Sequence, residues 1–262
     1  MNIAEFYPKK SLGQNFLTDD NIKSKIIQAC NLTIEDFVLE IGPGKGVLTR
    51  ELVSLAKNVV AVEKDVKLFQ ILCQTLGGYP NLSLINQDIL KFQIAHNNTK
   101  VIGNIPYNIS SPLLEHLINQ KDKISVIYIS LQKELAQRII AKPGSKTYSS
   151  FSLFLQYHTI PSIKFIIKRG CFRPQPKVDS AFVELIIRKT PLVKVRDEEL
   201  LFEIIRAAFG QRRKMISNTL KEFISAEKIC QTGISPSIRP EDLSLADFAK
   251  ITDLVFNNEK VQ

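Results

Sequence analysis

Short runs rich in Val, Ile and Leu recur through the first half of the chain, each followed by a longer stretch with apolar residues at helical spacing. Runs at 38–41, 59–63, 82–86, 100–103 and 125–130 are too short for helices and predict the first five strands. Between them, 45–56, 66–76 and 112–119 carry the helical pattern. Alternation of this kind needs crossover connections, so the strands lie mostly parallel with helices packed on the sheet. Residues 20–30, with Asp19 or Asp20 as cap, read as a helix before the sheet, and another helix should follow Lys133.

Beyond residue 148 the pattern changes. A helix at 151–158 is followed by two strands, 162–168 and 181–188, with no helix between them, which predicts a terminal antiparallel hairpin on the sheet. From Glu198 the reading is helical, with Leu200, Leu201, Ile204, Ile205 and Ala208 on one face and further segments near 216–225 and 244–256. The fold class is therefore α/β, a Rossmann-like, mostly parallel seven-stranded sheet plus a small C-terminal helical domain. Pro191 and a change in charge balance place the boundary near Thr190, dividing the chain into 1–189 and 190–262.

Charge narrows the function. The chain of 262 residues carries a net +9, and all of the excess lies in the first part: residues 190–262 hold 11 basic and 11 acidic side chains. From 135 to 178 there is no Asp or Glu, whereas Arg138, Lys142, Lys146, Lys164, Lys168, Arg169, Arg173 and Lys177 are all basic. A solvated face without a partner mixes both signs, so this stretch points to a polyanion. Cys30, Cys73, Cys171 and Cys230 are too dispersed for a C-x-x-C or metal-ligand pair, which leaves no metal site and suggests a reducing compartment. No apolar stretch approaches the ~20 residues of a spanning helix, and the start lacks a signal-peptide core, so the expectation is a cytoplasmic protein with no membrane partner.

The first strand ends in Glu40-Ile41-Gly42-Pro43-Gly44-Lys45-Gly46-Val47-Leu48-Thr49, a glycine turn leading into a helix. Glycines such as Gly42 and Gly44 let the backbone bend sharply and approach a ligand. Strand two ends at Glu63, spaced to accept hydrogen bonds from ribose hydroxyls, and strand three is followed by Asp88. A dinucleotide fingerprint would need a third glycine where Val47 stands, and no Ser or Thr follows Lys45 as a P-loop requires. A nucleoside carrying methionine needs no phosphate cradle, and the order of glycine loop, Glu63 and Asp88 resembles class I methyltransferases, which use S-adenosylmethionine.

Strand four runs into Gly103-Asn104-Ile105-Pro106-Tyr107-Asn108. The exocyclic amine of a nucleobase is a poor nucleophile because its lone pair is conjugated with the ring. Acceptors on its two N–H groups orient it and direct the lone pair at an electrophile, and the Asn104 side-chain oxygen and Ile105 carbonyl suit that task, with Tyr107 stacked on the base. A sulfonium is already an activated leaving group, so neither a metal nor a strong base is required.

Five segments together carry a further resemblance: Lys9-Lys10-Ser11-Leu12-Gly13-Gln14-Asn15-Phe16-Leu17, the 40–49 loop, Asn104-Ile105-Pro106-Tyr107, Phe172-Arg173-Pro174-Gln175-Pro176-Lys177-Val178-Asp179-Ser180, and Phe209-Gly210-Gln211-Arg212-Arg213-Lys214. In this order, over nearly the whole chain, they resemble the bacterial small-subunit ribosomal RNA adenine dimethyltransferases. The resemblance implies transfer of two methyl groups to N6 of each of two adjacent adenosines near the 3′ end of 16S RNA during late small-subunit maturation; the expected partner is 16S RNA within the immature subunit, and a monomer is expected. It implies that Asn15 and Leu17 close over the cofactor, Gly42 touches its amino-acid portion, Glu63 binds the ribose and Asp88 the adenine amine. Asn104 would lie between cofactor and target, and Phe172 would form a second aromatic face opposite Tyr107, as a loop aromatic rather than a buried one.

His96, His116 and His158 have no catalytic partners in the sequence and read as structural or exposed, and Arg212-Arg213-Lys214 reads equally as a helix-end cluster or a phosphate contact. Two alternatives stand beside the enzyme: an RNA-binding assembly factor in which catalysis is dispensable, and the related 23S ribosomal RNA adenine N6-methyltransferases. The segments at 9–17 and 209–214 stand against the latter.

Overall fold

The computed structural model describes residues 13–211 and 213–259, so Lys9, Lys10, Ser11, Leu12 and Arg212 of the motifs above lie outside the described residues. In the first half of the chain, strand β1 (Phe16–Leu17) precedes α1 (Asp20–Ala29), and β2 (Phe37–Ile41), α2 (Thr49–Leu55), β3 (Asn58–Glu63), α3 (Val66–Leu76) and β4 (Leu82–Asn86) then alternate. Next come β5 (Thr99–Asn104), α4 (Ser110–Ile118), β6 (Ile124–Gln132) and α5 (Lys133–Ile139). They are followed by α6 (Ser150–His158), β7 (Thr159–Ile167), β8 (Phe172–Arg173) and β9 (Ser180–Ile187).

Seven strands form one sheet in the order β4-β3-β2-β5-β6-β9-β7. β2, β3, β4, β5 and β6 are parallel, while β9 runs antiparallel to β6, with Ser180 opposite Gln132. The order reverses between β2 and β5, whose ends meet with Ile41 beside Gly103. Such a reversal opens a crevice at the carboxyl ends of the strands, because the loops leaving them turn to opposite sides. Both chemistry-bearing loops, 40–49 and 104–107, start at this crevice.

The helix expected at 45–56 begins only at Thr49. Gly44 and Gly46 have φ of +60° and +78°, outside the right-handed helical region, so the chain cannot start its helix earlier. A Cβ on Gly46 would lie 2.6 Å from Cδ1 of Leu76, so its bare backbone also lets α3 pack beneath the loop.

The chain divides into two compact units. Of the described residues, one takes in those up to Ala136 and Ser162–Ile187; the other holds Gln137–Pro161 and those from Arg188 onward. This differs from the single boundary near Thr190, because 137–161 packs with the later helices: Tyr148, Leu153 and Tyr157 share a core with Leu201, Ile205 and Phe248. A capping box between Ser149 and Ser152 starts α6 there, and α7 (Glu198–Gly210), α8 (Ile216–Thr219), α9 (Ala226–Gln231) and α10 (Leu245–Glu259) complete the second unit. No helix of the described residues is long and apolar enough to cross a membrane.

Candidate active site

One cavity opens at the strand-order reversal. Of the site residues expected from sequence, Asn15, Leu17, Gly42, Gly44, Glu63, Asp88, Asn104, Ile105 and Tyr107 all line it. Phe172 does not. It is 1 % exposed and packs with Leu17, Ile26 and Phe182 in the core of the sheet's helical layer. The reason is the strand: β8 pairs with β1, Leu17 opposite Phe172, and successive side chains of a strand point to opposite sides. Phe172 therefore goes inward and Arg173 outward, whereas the basic neighbours suggest an exposed loop aromatic. The rings that line the cavity are Phe16 and Tyr107.

Glu63 ends β3 and is only 6 % exposed. Its Oε2 accepts from the Gly44 N–H at 3.2 Å and its Oε1 from the Asp65 N–H at 2.8 Å. One carboxylate thus ties the glycine loop to the start of α3, each oxygen keeping a lone pair for a ligand. Burial raises its pKa, opposed by those backbone hydrogen bonds. Asp88 is pinned by the Leu90 N–H at 3.1 Å and by Lys64 Nζ at 2.7 Å, and the Lys64 hydrogen bond holds its carboxyl below the usual range. Gly42 has φ +64° and no atom within 4 Å of where a Cβ would be, so its backbone faces open cavity.

Glu40, one strand inward, is 2 % exposed, and its Oε2 finds no hydrogen-bond partner among the described residues. Burial pushes its carboxyl up to about 8; the nearby Thr49 hydroxyl opposes this and the Glu63 charge adds to it. Between the unfolded value near 4.5 and about 8 the folded chain holds the extra proton, so stability falls as pH rises through that window. Glu40→Gln is expected to flatten the fall and to stabilise the free protein at pH 8 by a few kcal/mol, on the order of what such a shift implies. Urea unfolding at a series of pH values with and without the substitution measures this.

Asn104 closes β5, and its Nδ2 donates to the Asn15 carbonyl at 3.1 Å. This bond sets the amide: with the NH2 directed at Asn15, Oδ1 faces the other way as an acceptor. Asn15 is itself fixed by its Nδ2 donating to the Gly13 carbonyl at 3.2 Å, and neighbouring Gln14 donates to Asp65 at 3.3 Å. The 13–17 segment therefore links the Glu63–Asp65 side of the cavity to the Asn104 side. A Cβ on Gly13 would lie 3.2 Å from Pro106 Cβ, so glycine lets this segment lie against the 104–107 loop. Gln14 and Phe16 stand in the 9–17 segment without a role of their own there, and Lys64 and Asp65 belong to no motif; the local signal for the latter pair is Asp65 as a cap before a helical pattern.

The histidines have structural surroundings. His96 stacks on Phe37, His116 bonds the Phe92 carbonyl at 2.9 Å, and buried His158 lies 3.6 Å from Glu198. Among the described residues no group of His, Cys, Asp and Glu is placed to hold a metal ion.

A glycine loop beside an acidic residue at the end of the next strand, on a sheet of this order, defines a class I S-adenosylmethionine-dependent methyltransferase. The residues present fit that cofactor: Glu63 keeps lone pairs that would suit ribose hydroxyls, Asp88 is an acceptor that would suit an adenine amine, and Glu40 Oε2 has no partner among the described residues. The model of the family described as ribosomal RNA adenine dimethylase matches residues 6–256, and the chain belongs to that family. It is an S-adenosylmethionine-dependent ribosomal RNA adenine dimethyltransferase.

Among curated relatives, ribosomal RNA small subunit methyltransferase A of Lactococcus lactis is 41 % identical, the match covering 98 % of this chain and 92 % of that one. The protein of the same name from Caldanaerobacter subterraneus is 40 % identical over 95 % and 97 %. Among solved structures, a dimethyladenosine transferase from Plasmodium falciparum matches with TM-score 0.78 and 27 % identity, covering 94 % of this chain and 98 % of that one. The 23S rRNA methyltransferase ErmE matches with TM-score 0.75 and 25 % identity, over 92 % and 99 %.

Proposed function

We propose that the chain dimethylates N6 of two adjacent adenosines near the 3′ end of 16S ribosomal RNA, as a cytoplasmic monomer acting on the immature small subunit. The observation that carries the chemistry is the Asn104 amide, held by the Asn15 carbonyl at the rim of the cavity that also holds Glu63 and Asp88. Small-subunit RNA is favoured over large-subunit RNA because the near full-length relatives at about 40 % identity carry the small-subunit name, whereas ErmE stands at 25 %.

In this reading the chain's work is orientation. Glu63 and Asp88 seat the cofactor, which supplies a methyl group already activated on sulfur. The target adenosine, taken out of its stack, lies against Tyr107, while Asn104 Oδ1 and the Ile105 carbonyl accept its two amine N–H groups. That holds the nitrogen lone pair on line and excludes other approaches. The methylated nitrogen passes its proton to solvent. Intact Asn104, Tyr107, Glu63 and Asp88 favour this over an assembly factor with dispensable catalysis.

The test is labelled methyl transfer from S-adenosylmethionine to immature small subunits and to large subunits in parallel, with nucleoside analysis of the products. N6,N6-dimethyladenosine from the small subunit alone is expected, and its absence there overturns the proposal.

Basic residues of the first unit supply the grip on phosphate, with Lys168, Arg169, Arg173 and Lys177 exposed around the segment that carries β8. The acid-free stretch is not acid-free in space: Asp179 lies 3.1 Å from Lys168 and Glu184 lies 3.3 Å from Lys164. Replacing Lys168, Arg169 and Lys177 by Gln is therefore expected to lower the slope of log affinity against log salt by roughly 1.5–2, less than three free contacts would give. Titrations at several salt concentrations check this, with cofactor affinity unchanged.

A further inference from the structure

The Tyr107 phenol is hydrogen-bonded to a residue that is not among those lining the cavity. Tyr107 follows Pro106 on a short 3-10 turn, Tyr107–Ile109, beyond the last residue of β5. Its phenol is 2.5 Å from Oγ of Ser180, the first residue of β9. Ser180 is fully buried and sits in the antiparallel ladder opposite Gln132 of β6. A buried hydroxyl must find a partner, and a serine commonly finds it on nearby backbone. Here its side-chain partner is the phenol, 73 residues away in sequence.

The backbone before Ser180 is pinned as well. The Asp179 carbonyl accepts from the Lys133 N–H at 3.0 Å, and its carboxylate accepts from the Arg169 N–H at 3.0 Å and from Lys168 Nζ at 3.1 Å. A side chain with two soft torsions is thus tethered at its far end to a rigid strand.

We propose that Ser180 is a positioning residue for methyl transfer, fixing the Tyr107 ring at the height and tilt that an adenine stacked against it requires. The proposal rests on the reading of Tyr107 as the base-stacking residue. It predicts that the phenol oxygen matters only through Ser180, so Tyr107→Phe and Ser180→Ala remove one and the same interaction.

The experiment is a double-mutant cycle on the full chain with small-subunit RNA substrate, measuring kcat, substrate KM and cofactor Kd for Tyr107→Phe, Ser180→Ala and the pair, with Tyr107→Ala and Ser180→Thr alongside. Each single variant is expected to lower kcat by about 3- to 10-fold, the range of one hydrogen bond, with cofactor Kd within twofold. The pair should be no worse than either single variant, and Ser180→Thr, which keeps the hydroxyl, should recover most of the loss.

Full kcat in Ser180→Ala, or losses that multiply in the pair, overturn the positioning role while a crippled Tyr107→Ala leaves the base-stacking reading standing. An active Tyr107→Ala overturns that reading itself. A parallel loss of thermal stability and cofactor binding in Ser180→Ala would show a merely structural role. If that variant does not fold, Tyr107→Phe decides, since it deletes the same bond from the half-buried side.

Discussion

Asn104→Ala is expected to lower kcat for methyl transfer by roughly 10²–10³-fold, the range for deleting one preorganised hydrogen-bonding group at a reacting centre. Cofactor affinity should change far less, because Glu63 and Asp88 lie on other strands' ends. Asn104→Asp should be nearly as inactive, although it retains an acceptor. The present amide donates to the Asn15 carbonyl at 3.1 Å, and a carboxylate there would set oxygen against oxygen and turn away from both. The second transfer should suffer more than the first. A monomethylated amine has only one N–H for the two acceptors, so its orientation depends more heavily on whichever acceptor remains. Time courses resolving N6-methyladenosine from N6,N6-dimethyladenosine check this: the monomethyl product should accumulate in weakened variants, and equal loss of both steps would contradict the acceptor role.

Glu63→Ala is expected to raise the Kd for S-adenosylmethionine by about 10²-fold or more. Hydrogen bonds to a charged group contribute about 1.5–3 kcal/mol each, and the ribose has two hydroxyls to offer. The variant also leaves the Gly44 and Asp65 N–H groups without the acceptor that now holds them at 3.2 and 2.8 Å, so the glycine loop loses its anchor. For the same reason Glu63→Gln is not conservative: two backbone N–H groups face the two oxygens, and an amide NH2 must confront one of them. Because burial raises the pKa of Glu63, its ionised form is lost at a higher pH than for an exposed glutamate. Cofactor affinity should therefore rise with pH through that titration and level off above it, a trend that calorimetric titration measures directly and that Glu63→Ala should abolish.

The residues expected on the nucleotide side are legible because they obey local rules. Gly42, Glu63 and Asp88 stand at or just beyond strand ends, and strand ends can be read from runs of Val and Ile leading into a turn. Asn104 and Tyr107 were legible because a polar-Pro-aromatic sequence after a strand has few other uses at a crevice. Phe172 departs from its expected place for a physical reason: its basic neighbours suggest an exposed loop, but a two-residue pairing with Leu17, more than 150 positions earlier, turns its ring inward. The extent of the helical unit is likewise set by contacts distant in sequence. Residues 137–161 look like part of the sheet domain in chain order, yet Tyr148 and Tyr157 bury themselves among side chains from α7 and α10.

By itself the sequence determined the parallel sheet, the glycine loop, the acidic residues at successive strand ends and the Asn104–Tyr107 motif, because periodicity and turn chemistry act over a few residues at a time. Tertiary structure alone decided which atoms face which. It turned the Asn104 amide by way of the Asn15 carbonyl, committed both oxygens of Glu63 to backbone donors, set Asp179 and Glu184 against the basic stretch, and fastened Tyr107 to Ser180. The bonds from Glu63 to Gly44, from Tyr107 to Ser180 and from Asn104 to Asn15 span 19, 73 and 89 positions, and no local pattern encodes them. They exist only once the strand order brings the ends of β2, β3 and β5 into a single crevice and lays β9 beside β6.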